Sequence, residues 1–281
     1  MGNSIPTLSI AAMSVSALIG IAIPAVLYAI YRKKGANHLP FWTGAVTFVL
    51  FAFVLEQLAY FFIMKTALWT TITGNLLIYG VVGGFMAGLF EETGRFVAFK
   101  TVLRKKRGND YNGLMYGAGH GGVEAVILLS ASMVMSIVFS LQFNAGQSSA
   151  LGGLDSAQQL LNTPSWMFLV GAVERIAAIT IHMSLSVLVW FAAKNGKRFW
   201  LFPLAILLHL LVDAVAVILS GSGVNVWIIE GVVYLMAIAF VILAVAVWKK
   251  NHTAQVEAPA ESTLEALVEA ADEAAETEEQ A

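Results

Sequence analysis

The sequence predicts an all-α membrane protein: a polytopic bundle of about seven transmembrane helices, with its N-terminus outside and its C-terminus in the cytoplasm. Apolar residues make up 58% of the 281 residues and charged residues only 12%. Soluble domains are normally less than half apolar and about a quarter charged. The apolar residues also form long blocks, and basic residues gather beside alternate ends of those blocks. Block length therefore predicts the helices, and the basic residues predict their direction.

Seven blocks are long enough to cross a membrane, because the hydrocarbon core requires roughly 20 mainly apolar residues in a helix. They are Leu8–Ile30, Phe41–Met64, Asn75–Val102, Tyr111–Phe143, Pro164–Ala193, Phe199–Ser220 and Val224–Trp248. The third, fourth and fifth are longer than this minimum, so we expect tilt, kinks or projecting ends. Glycines in two of the blocks predict close helix contacts or a break. They are Gly80, Gly83, Gly84 and Gly88 in the third and Gly117, Gly119, Gly121 and Gly122 in the fourth.

The basic residues predict one consistent topology. Cytoplasmic loops of membrane proteins are enriched in Lys and Arg. Of the 16 basic residues, 13 lie beside the helix ends that are cytoplasmic if the N-terminus is outside. They are Arg32, Lys33, Lys34, Lys100, Arg104, Lys105, Lys106, Arg107, Lys194, Lys197, Arg198, Lys249 and Lys250. The loop from Gln142 to Thr163 has no basic residue, as expected on the outer side.

Composition also limits the function classes. Cysteine is absent, which excludes disulfides, thiolate metal ligands and a cysteine nucleophile. The short basic runs lie beside apolar blocks, so we expect membrane lipid and not nucleic acid as a partner, in a multi-pass protein of the cell membrane. Residues 1–250 are predicted to form the bundle. Residues 251–281 are predicted to be a flexible cytoplasmic tail, because this stretch is rich in Ala and Glu and its glutamates recur every four residues.

Ionisable residues inside the spans are the candidates for function, because a charge at the bilayer centre costs at least ~2.5–3.5 kcal/mol on insertion scales. A rise of ~1.5 Å per residue places several of them roughly 14–22 Å from the cytoplasmic helix ends, close to the middle of the core. Four helices therefore contribute acids and imidazoles to one layer. With a neighbouring arginine, the layer comprises Glu91, Glu92, Arg95, His120, Glu124, His182, His209 and Asp213.

Spacing within the helices supports convergence of this layer. His120 and Glu124 are four residues apart, as are His209 and Asp213, so each pair shares a helix face. Arg95 lies three and four residues after the two glutamates and can neutralise one of them. Three other acids fall outside this layer. We interpret Glu174, with its neighbour Arg175, as a pair that joins helices, and we assign no role to Glu56 and Glu230.

The layer has the residues for peptide hydrolysis, which requires a base to activate water and groups that stabilise the oxyanion. A buried glutamate can be that base. Alternatively, His120, His182 and His209 with Glu124 could ligate Zn²⁺, whose catalytic sites use three N or O ligands and one open position. The H-E-x-x-H motif of many zinc proteases is absent. Both mechanisms remain open at this point.

The order of these motifs resembles a known family. Glu91-Glu92-Thr-Gly-Arg95, Gly119-His120-Gly-Gly-Val-Glu124, Glu174-Arg175 leading to His182, and His209-Leu-Leu-Val-Asp213 resemble the YhfC family of intramembrane metalloproteases. That family is similar to the PrsW proteases and, more distantly, to the CAAX prenyl protease and bacteriocin-processing (CPBP) superfamily. The resemblance implies that Glu91 or Glu92 activates water and that His182 helps to hold it. It also implies that Glu124 matches the acid of the second PrsW motif. His209 and Asp213 would match the H-x-x-x-D motif of the PrsW proteases.

These observations predict an endopeptidase that cleaves a membrane-associated peptide or protein at a site open toward the cytoplasmic half of the bilayer. Two other functions are compatible with intramembrane acids and histidines. One is an ion- or proton-coupled transporter, since such residues also serve as proton relays. The other is a non-catalytic scaffold that binds a lipid head group or a peptide. An intramembrane hydrolase accounts best for so many buried charges in one layer.

Overall fold

The protein is described here by a computed structural model, which covers residues 4–147 and 153–252. Within these residues, seven helices are long and apolar enough to cross a membrane, and no β-strand occurs. They are α1 (Thr7–Lys33), α2 (His38–Ile63), α3 (Leu76–Lys100), α4 (Tyr111–Asn144), α5 (Ser165–Lys194), α6 (Gly196–Gly221) and α7 (Val226–Asn251). The predicted fold class and all seven spans are confirmed, with ends that differ by a few residues.

Several helices deviate locally from ideal α-helical geometry. Helix α2 contains a π-helical segment at Val49–Glu56, and α4 contains another at Val126–Ala131. Helices α5 and α6 each begin with a 3₁₀ turn. Two short helices that the sequence analysis did not predict, Ala67–Thr73 and Gly153–Asn162, lie in the connections after α2 and α4.

Helix α5 is at the centre of the bundle. In its most apolar stretch of 18 residues, 78% of the residues are buried, compared with 22–33% in the corresponding stretches of the other six spans. It packs against α3, α4, α6 and α7, while α2 packs on α4 and α3 packs on α6. Since α5 has neighbours on all sides, side chains that project from it can meet side chains from several other helices.

Glycines allow the closest of these contacts. A Cβ atom on Gly119 would lie 2.0 Å from the Phe41 carbonyl oxygen, and one on Gly44 would lie 2.3 Å from the Tyr116 carbonyl oxygen. Between α3 and α6, a Cβ on Gly84 would lie 2.5 Å from the Leu210 carbonyl oxygen. The predicted close helix contacts at the glycines of spans three and four are therefore confirmed, except at Gly83. There the nearest atom, the Tyr60 hydroxyl, is 4.0 Å away.

The basic residues meet at one end of the bundle, which we call the basic end; the opposite end is the far end. Arg107 Nη1 donates to the Ala193 carbonyl at 2.5 Å, and Lys194 forms an ion pair with Asp110. Arg198 Nε donates to Asn251 Oδ1 at 3.1 Å. These contacts join the ends of four spans. The predicted topology assigns the basic end to the cytoplasm, and the membrane side of each end stays a prediction.

Apolar side chains fill the bundle between its middle and the basic end. Phe99, Tyr116 and Trp190 are fully buried, and the Phe99 ring meets the other two edge to face at centroid distances of 4.6 and 5.0 Å. Gly113 makes room for this cluster, because a Cβ there would lie 2.8 Å from Trp190 Cγ. The three aromatic residues, which we call the aromatic floor, tie α3, α4 and α5 together.

The acidic tail predicted for residues 251–281 lies outside the described residues, apart from Asn251 and His252. Its separation from the bundle and its flexibility stay predictions.

Candidate active site

Three imidazoles surround one carboxylate oxygen in the middle of the bundle. Glu91 Oε2 lies 2.9 Å from His120 Nε2, 3.9 Å from His182 Nδ1 and 4.0 Å from His209 Nε2. The four residues project from α3, α4, α5 and α6, and all four are buried. The predicted convergence of four helices on one polar layer therefore agrees with the geometry.

Glu92, the next residue on α3, has different partners. Arg95 Nη1 donates to both of its carboxylate oxygens, at 2.5 Å to Oε1, and His209 Nδ1 donates to Oε1 at 2.9 Å. Its side chain is completely buried. Adjacent helical residues point ~100° apart, so one glutamate faces the three imidazoles and the other faces the arginine. This separates the two glutamates that the sequence left equivalent.

A similar arrangement holds His182. Its Nε2 lies 2.5 Å from Glu124 Oε2, and Arg175 Nη1 donates to Glu124 Oε1 at 2.5 Å. Arg175 also pairs with Glu174. The other ring nitrogen of His182 accepts from Arg95 Nη2 at 3.3 Å, since a guanidinium can only donate. The proton of the neutral ring is therefore on Nε2, directed at Glu124.

Two histidines are thus held in the same way, each by a carboxylate that an arginine holds in turn. One chain runs from Arg95 through Glu92 to His209, and the other runs from Arg175 through Glu124 to His182. Carboxylates behind histidines fix the tautomer and the ring orientation, as in many metal sites. The arrangement leaves His209 Nε2 facing Glu91, and it places His182 Nδ1 between Arg95 Nη2 and Glu91.

Asp213 completes the layer on the side of the far end. Its Oδ2 lies 3.4 Å from His209 Nε2, one helical turn away on α6, and its side chain is 38% exposed. It is the most exposed of the eight residues predicted for the site. A carboxylate that is both near His209 and accessible can exchange with water.

Three of these residues could hold a metal ion if His182 Nδ1 exchanged its hydrogen bond from Arg95 for the metal. The ligand atoms of Glu91, His120 and His182 all lie within 4.8 Å of one another. Two imidazoles and one glutamate form the same ligand set as several catalytic zinc sites. The ring nitrogen of His120 that faces Glu91 is Nε2, and the other, Nδ1, is buried with no hydrogen-bond partner among the described residues. The set predicted from the sequence differs, because Glu124 and His209 lie beside this group and not in it.

Sequence reasoning missed the involvement of Arg175 and left Glu56 unassigned. Arg175 was interpreted as joining helices through Glu174, yet it also holds Glu124. Its position seven residues before His182, two turns away on the same face of α5, could have indicated this. Glu56 is buried at the end of the π-helical segment of α2 and lies within electrostatic range of Glu91, His209 and Asp213. A straight α-helix drawn from the sequence would not place it there.

Comparison with known proteins agrees with this architecture. A family model described as YhfC intramembrane metalloprotease matches residues 19–235, which include all the site residues. The uncharacterized membrane protein YhfC of Bacillus subtilis (strain 168) is 35% identical over 216 residues, covering 73% of this chain and 83% of the relative. No solved structure matches. The chain is thus a multi-pass membrane protein that belongs to the YhfC intramembrane metalloprotease family.

Proposed function

We propose that this protein is an endopeptidase that hydrolyses a peptide bond of a membrane-associated peptide or protein inside the bilayer. The observation that carries the proposal is the convergence of three imidazoles on Glu91 at the middle of the bundle. Burying ionisable groups at this depth costs free energy. A hydrolytic active site explains why so many of them lie in one cluster. Membership of a metalloprotease family supports the same reaction class.

Glu91 is the central group of the reaction. Its carboxylate faces the space between the imidazoles and, among the described residues, forms no ion pair with an arginine, whereas Glu92 is held by Arg95. Glu91 therefore accepts the proton from the attacking water, in the manner of a general base. Glu92 and Glu124 act differently, since each holds one histidine in a fixed orientation. Arg95 and Arg175 neutralise these two carboxylates and keep them in place.

The reaction also requires an acid that protonates the leaving amine. His209 is suited to this role, because Glu92 fixes its Nδ1 and its Nε2 lies between Glu91 and Asp213. Asp213 returns the imidazole to its starting state by exchanging a proton with water.

Glu91, His120 and His182 would hold a divalent metal ion, and their N and O donors suit zinc. When bound, such an ion would supply positive charge that acidifies a water molecule and polarises the peptide carbonyl. Glu91 would then be a ligand, and the pair of His209 and Asp213 would be the group that takes the proton. The two versions of the mechanism share the same residues and differ in the role of Glu91.

The proposal is tested by cleavage of a library of membrane-anchored reporter peptides by the purified protein. The variant Glu91→Gln keeps the shape of the side chain and removes its charge, so we expect cleavage to fall by about 10²–10⁴-fold, the usual contribution of a general base. His209→Asn is expected to lower the rate through loss of the acid. Products are identified by mass spectrometry.

Glu230→Gln is the matched control. Glu230 is also a buried glutamate within a span, but it lies on α7 and forms no ion pair with the imidazoles among the described residues, so its replacement should leave the cleavage rate unchanged. Equal product formation by the wild type and Glu91→Gln would reject the proposal. Absence of any product from the wild type, in a library that varies both sequence and depth of the cleavable bond, would reject it as well.

A further inference from the structure

Polar residues are distributed unequally along the bundle on the two sides of the site. Toward the basic end, the imidazoles are followed by the aromatic floor, which is fully buried. The helices also touch there: a Cβ on Gly117 would lie 2.8 Å from Met183 Cα and 2.8 Å from Ser186 Oγ. Water has no room between α4 and α5 at this level. The floor therefore fills the direct path between α4 and α5, while a cavity of about 510 Å³ runs from Lys34 and Trp248 to Thr180, on the opposite face of α5 from His182.

Toward the far end, polar side chains continue and become more exposed. The side chains of Glu91 and Glu124 are 9% and 12% exposed, whereas those of Asp213 and Glu174 are 38% and 44% exposed. A carboxylate that faced lipid would be costly. Exposed carboxylates within a span therefore indicate contact with water, and here they lie on one side of the site.

A cavity of about 310 Å³ lies on this side, between α2, α3, α6 and the short helix Ala67–Thr73. Gln57, Tyr60 and Tyr79 contribute polar groups to its lining, and the other lining residues are Met64, Trp69, Ile72, Val82, Gly83 and Val217. A water molecule occupies about 30 Å³ in the liquid, so the cavity can hold several. We call it the far-end vestibule.

The inner end of the vestibule approaches the site through two acids. Gln57 directly follows Glu56, and Val217 lies one turn beyond Asp213 on α6. Tyr60 lies four residues after Glu56 and Val217 lies four residues after Asp213, so each acid shares a helix face with a residue that lines the vestibule. Asp213 in turn lies 3.4 Å from His209. Polar groups therefore lie along the path from the vestibule to the imidazoles.

We propose that water reaches the site from the far end, through this vestibule and past Glu56 and Asp213, and that the aromatic floor closes the basic end. The proposal deepens the proposed function, on which it rests for the use of that water. It replaces the sequence-based expectation of a site open toward the cytoplasmic half. With the predicted topology, the substrate class is a membrane-anchored chain whose cleaved bond lies in the outer half of the bilayer.

The absence of cysteine provides a direct test. Single cysteines are introduced into the full-length protein, and their reaction with a membrane-impermeant thiosulfonate is followed in intact cells and in inverted vesicles. The thiolate is the reactive form, and a thiol in an apolar environment stays protonated. Thr66→Cys in the far-end connection and Lys105→Cys in the basic loop identify which preparation exposes which end.

Gly83→Cys is the test position, since a side chain there projects toward the vestibule with its nearest neighbour 4.0 Å away. Phe85→Cys is its matched control, two residues along α3 on a face exposed to lipid. We expect Gly83→Cys to react about tenfold or more faster than Phe85→Cys, and only in the preparation that labels Thr66→Cys. Ser186→Cys, a nearly isosteric change in the buried layer below His182, is expected to remain unlabelled in both preparations.

Two results would overturn the proposal. One is a Gly83→Cys protein that reacts no faster than Phe85→Cys. The other is labelling of Ser186→Cys in the preparation that labels Lys105→Cys, because water would then reach the site from the basic end. Labelling does not require peptide cleavage, so this experiment succeeds or fails independently of the peptidase assay. A protein with an accessible Gly83→Cys and no hydrolysis would retain the water route and lose the proposed function.

Discussion

Two neighbouring glutamates on α3 have different environments. Glu91 faces three imidazoles, whereas Glu92 is completely buried against Arg95 and His209. A buried ion pair contributes little net stability once formed, but removal of one partner leaves an uncompensated charge. Replacement of Glu92 therefore lowers the stability of the protein first. Any effect on catalysis would be indirect, through a change in the position of His209.

We predict that Glu92→Gln and Arg95→Met each destabilise the protein by about 3–5 kcal/mol, because each leaves its partner buried and charged. The double variant should lose less than the sum of the two, by a coupling of about 1–3 kcal/mol. The measurement is a double-mutant cycle of unfolding free energies in detergent micelles.

The control for this cycle is Glu230→Gln, which removes a buried glutamate whose Oε2 has no hydrogen-bond partner among the described residues. Its effect on stability should be near zero or favourable, since the substitution breaks no hydrogen bond to Oε2 and removes a charge that is costly to bury. Additive losses in the double variant would contradict the structural role of the Glu92–Arg95 pair.

The sequence predicted the members of this layer better than their roles. Periodicity and depth identified all eight residues, because a charge inside an apolar block is conspicuous without any structure. The role of each side chain depends on the rotation of its helix and on partners from other helices, which no local pattern contains. Glu91 and Glu92 could not be separated for this reason. Arg175 was missed because its adjacent Glu174 offered a sufficient partner.

At the scale of helices, α2 and α4 approach each other through their backbones. The contact depends on Gly44 and Gly119, which lie against the carbonyl groups of Tyr116 and Phe41. In lipid the hydrophobic effect does not drive such contacts, so small residues that permit close packing matter more than in water. Gly119 directly precedes His120, and this contact therefore determines the position of that imidazole.

We predict that Gly119→Ala destabilises the protein by at least about 1–3 kcal/mol, the usual cost of forcing an extra methyl group into a packed contact. The Cβ would lie 2.0 Å from the Phe41 carbonyl oxygen, so the two backbones would have to separate. Thermal unfolding in detergent measures the effect. Gly231→Ala on α7, where no described atom lies within 4 Å of the new Cβ, should be neutral or stabilising. Equal melting temperatures for the two variants would show that the close contact is unimportant.

The π-helical segments of α2 and α4 could not have been predicted. The residues of the first, Val49–Glu56, are as apolar as those of any membrane helix, and their composition does not distinguish π from α geometry. Such segments arise from packing against neighbours and occur frequently at functional sites. They determine where Glu56 lies, which explains why the sequence left that residue without a role.

For the whole molecule, the candidate metal ligands matter because they come from three helices. Glu91, His120 and His182 project from α3, α4 and α5, so an ion bound to them would join the centre of the bundle to two of its neighbours. A ligand that binds only the folded state stabilises it by an amount that depends on its concentration relative to its Kd.

We predict that the purified protein contains about one equivalent of a divalent metal and that removing it with a chelator lowers the melting temperature. Re-addition of Zn²⁺ at 100 times its Kd should restore about 2.7 kcal/mol. Elemental analysis and thermal unfolding make both measurements without an activity assay. His120→Ala should lose the ion and the response to zinc, whereas His38→Ala, outside the site, should retain both. A wild-type protein without metal that zinc does not stabilise would leave Glu91 as the general base.

The overall fold was largely predictable because the bilayer imposes simple rules on chain length and on the position of basic residues. Seven spans follow from seven apolar blocks. The arrangement of the helices around α5 was not predictable, since it depends on which faces fit together. The direction from which the site is reached has the same origin, and the far-end route that we propose differs from the sequence-based expectation.

The aromatic floor has a consequence for the cell as well as for the site. A cavity that brings water to the middle of a bilayer halves the thickness of the barrier that holds ion gradients. Phe99, Tyr116 and Trp190 fill the bundle on the other side of the site with closely packed rings, and the Trp190 N–H is bound to Asp110. The bundle can therefore hold water at this depth while the membrane stays impermeable to ions. Replacing Trp190 with a small residue would be expected to increase the ion permeability of the membrane.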